Sequence, residues 1–173
     1  MTVSLDNAFI ATCLQALGSL SGLVARAEAH CTEQGLPAEA LTGARLAPDM
    51  WPFAKQVFEA GHHSARAIEA VRAGVFGPDL DPAPTDFASL HAELSKTIAA
   101  LQAIAPGELD AMAGNDTRFE FGTMRMDFTV ADFLLSFSLP NFFFHTSMAY
   151  AILRNQGLPI GKGDFLGQVR IKT

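Results

Sequence analysis

Asn141 and His145 are the residues of this sequence best placed to do chemistry. From Phe133 to Leu153 the chain is strongly apolar. At about 100° per residue, Phe133, Leu134, Phe137, Phe144, Met148 and Ile152 fall on one broad helix face. Asn141 and His145 sit inside that face, one turn apart. Polar groups in an apolar stripe must be satisfied by each other, by water, by a ligand or by a metal. Imidazole can ligate metals or move protons near neutral pH. The carboxamide orients partners but is a poor metal ligand. Two readings stay open, a hydrogen-bonded structural pair and the wall of a ligand or metal site.

A metal on His145 needs further ligands. His30 lies near the end of the first expected helix, where a cation suits the helix dipole. A helical wheel puts His62 on the outer face of the second helix, beside Lys55 and Arg66, and His63 on its flank. His91 falls at the edge of the stripe on the third helix. None lies squarely opposite His145, so His145 with His63 is an incomplete metal set. No carboxylates at helical spacing of the di-iron kind are read here. The cofactor is then either a divalent metal such as zinc or nickel, or none, and the incomplete set favours none. Trp51 and Met50, where the second helix starts, are candidate neighbours of a cavity at Asn141 and His145.

Four long helices position these groups. The first runs from about Ser4 to Glu33, with Phe9, Cys13, Ala16, Leu20, Val24 and Ala27 on one face. Gly35 and Pro37 end it. Gly18 and Gly22 form a small-residue pair that a second helix could approach. A single turn is expected from Pro37 to Leu41. The second helix starts at an Asp49 N-cap with Pro52 in its first turn. Phe53, Val57, Ala60, Gly61, Ser64, Ile68 and Val71 face inward, and Lys55, Glu59, Arg66 and Glu69 outward. Gly74 and the Pro-rich stretch Gly77 to Pro84 end it. The third helix opens at Thr85 or Asp86 and carries the stripe Phe87, Leu90, Leu94, Ile98, Leu101 and Ala105. Arg118–Phe121 and Arg125–Phe128 alternate polar and apolar around Gly122, which predicts a β-hairpin packed on the helices. Thr129 with Asp132 caps the fourth helix, Pro140 kinks it, and Gly157 and Pro159 end it. The tail from Leu158 to Thr173 is expected to drape over the surface. Together these predict one all-α domain over residues 1–173, a four-helix bundle with a small hairpin before the last helix.

The chain of 173 residues is 49% hydrophobic and 17% charged, enough apolar side chain for a core. Its net charge of -6 argues against nucleic acid or an anionic membrane as partner. Met1 to Leu14 lacks a cationic start, so no signal peptide is read. Phe133 to Leu153 has spanning length, yet Pro140, Asn141 and His145 interrupt it, and a buried core helix is the preferred reading. Cys13 and Cys31 lie about 27 Å apart along one helix, too far for a disulfide. They read as free thiols of a cytoplasmic protein. Gly157–Lys162 is one residue short of a phosphate loop and follows a helix rather than a strand.

Several segments are distinctive together: Ala44–Pro52, Leu139–His145, Ala149–Arg154, and Ile160–Lys162 with Asp164–Gly167. They resemble an uncharacterised bacterial domain family of the DinB/YfiT-like superfamily, over nearly the whole chain. The resemblance implies a four-helix bundle with a long crossover and frequent homodimers. In many relatives it also implies a metal on three histidines, two from a His-x-x-x-His on the last helix and one from the second helix. Here His145 matches the second of the pair and Asn141 stands at the first. His62 and His63 are on the second helix, but the wheel turns Gly61 and Ser64 inward instead. The first function expected is a small-molecule-binding bundle with its cavity at Asn141 and His145, as a binder or as an enzyme of unknown reaction. The alternatives are a metal-dependent transferase or hydrolase of DinB/YfiT type, and a non-catalytic dimeric interaction protein.

Overall fold

The computed structural model describes residues 3–172, so the expected domain ends at Met1 and Thr173 lie outside the described residues. Helix α1 spans Leu5–Gln34, with Ser4 Oγ accepting from the Asn7 amide at 3.1 Å. It stops at Gly35, whose φ of 63° is left-handed and whose amide caps Cys31 and Thr32. Phe9, Cys13, Ala16, Leu20, Val24 and Ala27 are all buried, as their spacing predicts. Gly18 and Gly22 are exposed instead, with nothing within 4 Å of a Cβ built on either. Both cysteines are free and buried. Among the described residues, the helix long and apolar enough to cross a membrane is α1, not the 133–153 stretch. Its apolar stripe lies in the domain's own core.

A one-turn helix α2 (Glu39–Thr42) follows. The second long helix starts at Phe53, three residues later than Asp49 in a capping role would allow. Pro52 is its N-cap, and Asp49 is exposed. It comprises α3 (Phe53–Gly61), a π-helical segment His62–Arg66 and α4 (Ala67–Ala73). Gly74, at φ 77°, ends it. The short strand β1 (Val75–Phe76) comes next, where the sequence suggests only loop. Helix α5 (Phe87–Gln102) opens on Asp86, which accepts from the Ser89 amide at 2.7 Å. Helix α6 (Glu108–Met112) leads into β2 (Asp116–Phe121) and β3 (Met124–Thr129).

The strands form a three-stranded sheet in the order β1-β2-β3, the first pair parallel and the second antiparallel. The parallel pairing of Val75 with Arg118 is non-local, so no short-range pattern announces it. Gly122, at φ 59°, turns the two-residue hairpin loop. The inner ends of the hairpin pack as expected: Phe119 and Phe128 lie 5.2 and 5.8 Å from the Phe137 ring. Phe121 and Met124 at the tip remain exposed.

The last long helix comprises α7 (Val130–Asp132), a second π-helical segment Phe133–Ser138 and α8 (Leu139–Asn155). Thr129 Oγ1 accepts from the Asp132 amide at 3.1 Å, the expected cap. Pro140 has no amide to donate, and the backbone ladder is already widened just before it, as the Leu139 N–H bonds to Leu134 O. The tail is not all drape. Leu158 and Ile160 are buried, and α9 (Lys162–Leu166) packs on α1, where Ser19 Oγ donates to Phe165 O at 2.7 Å. Helix α3 packs on α8 and α5, and this contact holds the candidate site.

Candidate functional site

An α-helix turns about 100° per residue, but a π-helical turn takes in an extra residue and shifts the face of everything after it. Both helices that carry site residues contain such a turn. In the second long helix, Ser64 Oγ donates to the Ala60 carbonyl at 2.6 Å, bonding a carbonyl where the ladder widens. In the last helix, Asn141 Nδ2 does the same for Phe137 O at 2.7 Å. The two turns touch, since Ser138 Oγ donates to His63 O at 3.0 Å.

The structure corrects the wheel in several places. His62 and His63 are buried, and the ring of His63 stacks on His145 with centroids 5.6 Å apart and planes 15° apart. Lys55 and Glu59, expected on the outer face, are only 7% and 2% exposed. The segment 77–81 covers them, and Lys55 Nζ donates to Asp79 O and Asp81 O at 3.1 and 3.0 Å. Phe144, expected inside, is 50% exposed. Asn141 and His145 are not bonded to each other, because the Asn141 amide bonds within its own helix. His91 is half-exposed and faces Glu28 Oε2 at 3.0 Å. His30 is half-buried near the end of α1.

His145 pairs with Gln56 instead, Nδ1 to Oε1 at 2.8 Å. Gln56 Nε2 donates to the Trp51 carbonyl at 3.2 Å, which fixes the amide with its oxygen toward the imidazole. That oxygen can only accept, so His145 carries its proton on Nδ1 and keeps the Nε2 lone pair free. Trp51 stacks on the same imidazole at 5.7 Å and 15°. Met50 sits half-buried one residue earlier, its amide bonded to Ala47 O.

Glu59, His63 and His145 are all buried, and one ligand atom from each lies within 4.8 Å of the others. His63 Nε2 is 4.0 Å from Glu59 Oε2, while His63 Nδ1 is buried with no partner. Lys55 Nζ stands 2.9 Å from the other carboxylate oxygen, Glu59 Oε1. Burial pushes the His63 pKa down to about 3, helped by His145 and His62, and that of His145 down to about 4, helped by His62 and Lys55. Burial pushes Glu59 up, although Lys55 opposes this. At neutral pH both imidazoles are therefore uncharged and have lone pairs to offer. His62 donates through Nε2 to Gly77 O at 2.8 Å and is turned to the covering segment.

The sequence reading missed Glu59 and Gln56. The signal available for Glu59 was its i,i+4 spacing to His63, which puts both on one face of a helix. For Gln56 there was none, since its role depends on His145, 89 residues away. The described hollows lie elsewhere. One of ≈ 450 Å³ runs between His62, Arg66 and the 77–81 segment, and one of ≈ 360 Å³ lies by Thr117, Arg118 and Arg125. Neither is lined by Asn141 or His145.

The crystal structure of a DinB family member protein from Shewanella denitrificans superposes with a TM-score of 0.81 at 23% identity, over 98% of this chain and 95% of that one. This likeness shows a shared fold. No curated protein matches the chain. Residues 5–166 match the family described as Domain of unknown function (DUF1993), and the chain belongs to that family.

Proposed function

We propose that this domain holds a divalent transition metal on Glu59, His63 and His145 and works as a metal-dependent enzyme of DinB type on a small molecule. The observation that carries this reading is the convergence of the three donors within 4.8 Å in a buried site. The donor set fits such an ion. Both imidazoles are neutral, Gln56 leaves His145 Nε2 unprotonated, and His63 has a buried nitrogen with no other partner. Two imidazoles and one carboxylate suit zinc or nickel better than calcium or magnesium. When bound, the metal would supply Lewis acidity at these three donors. The chain's own residues do the rest. Gln56 orients the imidazole, Lys55 balances the Glu59 charge, and Trp51 shields one part of the His145 ring.

The same proposal extends to fold and partners. The four long helices are read as a DinB-type bundle, supported by the TM-score of 0.81. The domain is read as a soluble, cytoplasmic homodimer with no nucleic-acid partner. The metal-free small-molecule binder is the competing reading, and metal content separates the two. Untagged protein should carry about one equivalent of zinc or nickel by elemental analysis, and a variant with His63→Ala and His145→Ala should carry none. Metal-free protein that takes up no zinc or nickel on titration would end the proposal.

A further inference from the structure

Two exposed aromatic side chains touch the same imidazole. Trp51 is 46% exposed and lies nearly parallel to the His145 ring at 5.7 Å. Phe144 is 50% exposed and meets that ring edge-on at 5.2 Å. Scattered exposed aromatics need no explanation, but two that meet on one buried imidazole of the proposed metal site call for one.

Trp51 is also held in place despite its exposure. Its carbonyl accepts from Gln56 Nε2 at 3.2 Å, and Lys55 Nζ lies 5.4 Å from the centre of its ring. Gln56 therefore ties the indole's backbone and the imidazole's Nδ1 to one side chain, fixing their relative position. A half-exposed surface fixed this way is preorganised, so a ligand loses no free energy in ordering it.

We propose that Trp51, with Phe144 against the same imidazole, is the specificity platform of this site. It would take the planar aromatic part of a substrate whose other end carries an oxygen donor for the metal. The inference rests on the metal reading above and adds the substrate class. A small molecule is favoured over a second copy of the chain because Trp51 packs directly on a proposed metal ligand, its ring 5.7 Å from that of His145.

The test uses full-length, zinc-loaded protein and two probes with the same metal-binding group, acetohydroxamate and benzohydroxamate. Only the second has a ring. Calorimetry should show benzohydroxamate binding at least about tenfold tighter, the effect of one good aromatic contact. Trp51 is the single tryptophan of the chain, so its emission should change with benzohydroxamate and reports this site alone. Trp51→Ala should bring the two probes to equal affinity, while Trp51→Phe should keep most of the preference. Equal binding of the two probes, or a preference that survives Trp51→Ala, overturns the platform and leaves the metal reading standing. So does binding of neither probe to loaded protein. Shielding of Trp51 from acrylamide quenching in a species of dimer mass overturns it as well, by putting a second copy on the patch. Failure to load zinc removes the metal reading, and the platform falls with it.

Discussion

Ser138 Oγ donates to the carbonyl of His63 at 3.0 Å, and both residues are buried. Each lies in a π-helical segment, so the bond joins the two helices where their backbones are widened. It holds the His63 backbone against the last long helix and so sets where the imidazole meets His145.

Removing that hydroxyl should be felt. Ser138→Ala leaves a buried carbonyl without this donor, which costs about 1–3 kcal/mol. Urea unfolding should show a loss in that range with an unchanged slope. A loss below about 0.5 kcal/mol would mean that the carbonyl is satisfied by another route.

Gln56→Leu should loosen the control of the His145 proton. The wild-type ring should show the Nδ1-protonated tautomer by nitrogen NMR, and the variant a mixture of tautomers. Metal affinity should fall about 10- to 100-fold, the usual effect of losing a partner that orients a ligating histidine. An unchanged tautomer in the variant would show that Gln56 does not set it.

The metal-free protein should lose stability in acid at higher pH than carboxylate titration alone would cause. His63 and His145 titrate near 3 and 4 when folded, below the ordinary imidazole value of 6.5. Between those values the unfolded chain binds more protons than the folded one, so stability falls as pH drops below about 6.5. Glu59, with its pKa raised, contributes with the opposite sign. The sum is on the order of a few kcal/mol, at about 1.4 kcal/mol for each tenfold change in proton affinity. Thermal melts of chelator-treated protein at pH 7.5 and 5 should differ clearly, and the difference should shrink in His145→Phe. Melting temperatures that do not move between the two pH values would contradict the burial of these rings.

Gly61 marks a close helix contact. A Cβ there would lie 2.9 Å from Thr97 Oγ1 and 3.2 Å from Glu93 Oε1 on α5. Gly61→Ala should cost about 1–3 kcal/mol by overpacking, despite alanine's better helix propensity. A stabilised variant in chemical denaturation would show that α5 can yield.

The parts of the fold legible in the sequence are those with an unbroken α ladder or a local cap. The Phe9 to Ala27 stripe, the helix starts at Asp86 and Thr129 and the hairpin at Gly122 all follow from short-range pattern. The site was legible in half. His145 and Trp51 stood out, one as a polar group in an apolar stripe and the other as its neighbour. His63 was turned the wrong way because the wheel assumes constant rotation through residues 62–66, where the backbone is π-helical. Glu59 precedes that turn and looked solvent-facing for the same reason as its neighbour Lys55. Lys55 looked solvent-facing because its cover, segment 77–81, is an irregular Pro-rich loop whose docking depends on Asp79 and Asp81 carbonyls.

The extra residue in segment 62–66 makes the fold tolerant of a one-residue loss there, where the site is not. A π-helical turn takes one more residue than an α turn through nearly the same rotation. Deleting one of those five residues would let the helix close into regular α-geometry with its C-terminal half still in phase, so Ile68 and Val71 would keep facing the core and β1 its place beside β2. What would go is the widened turn that carries His63 and meets Ser138. A deletion inside 62–66 should thus spare folding and disable the site, whereas a deletion in the regular helix α5 turns everything after it by about 100° and should cost the fold itself.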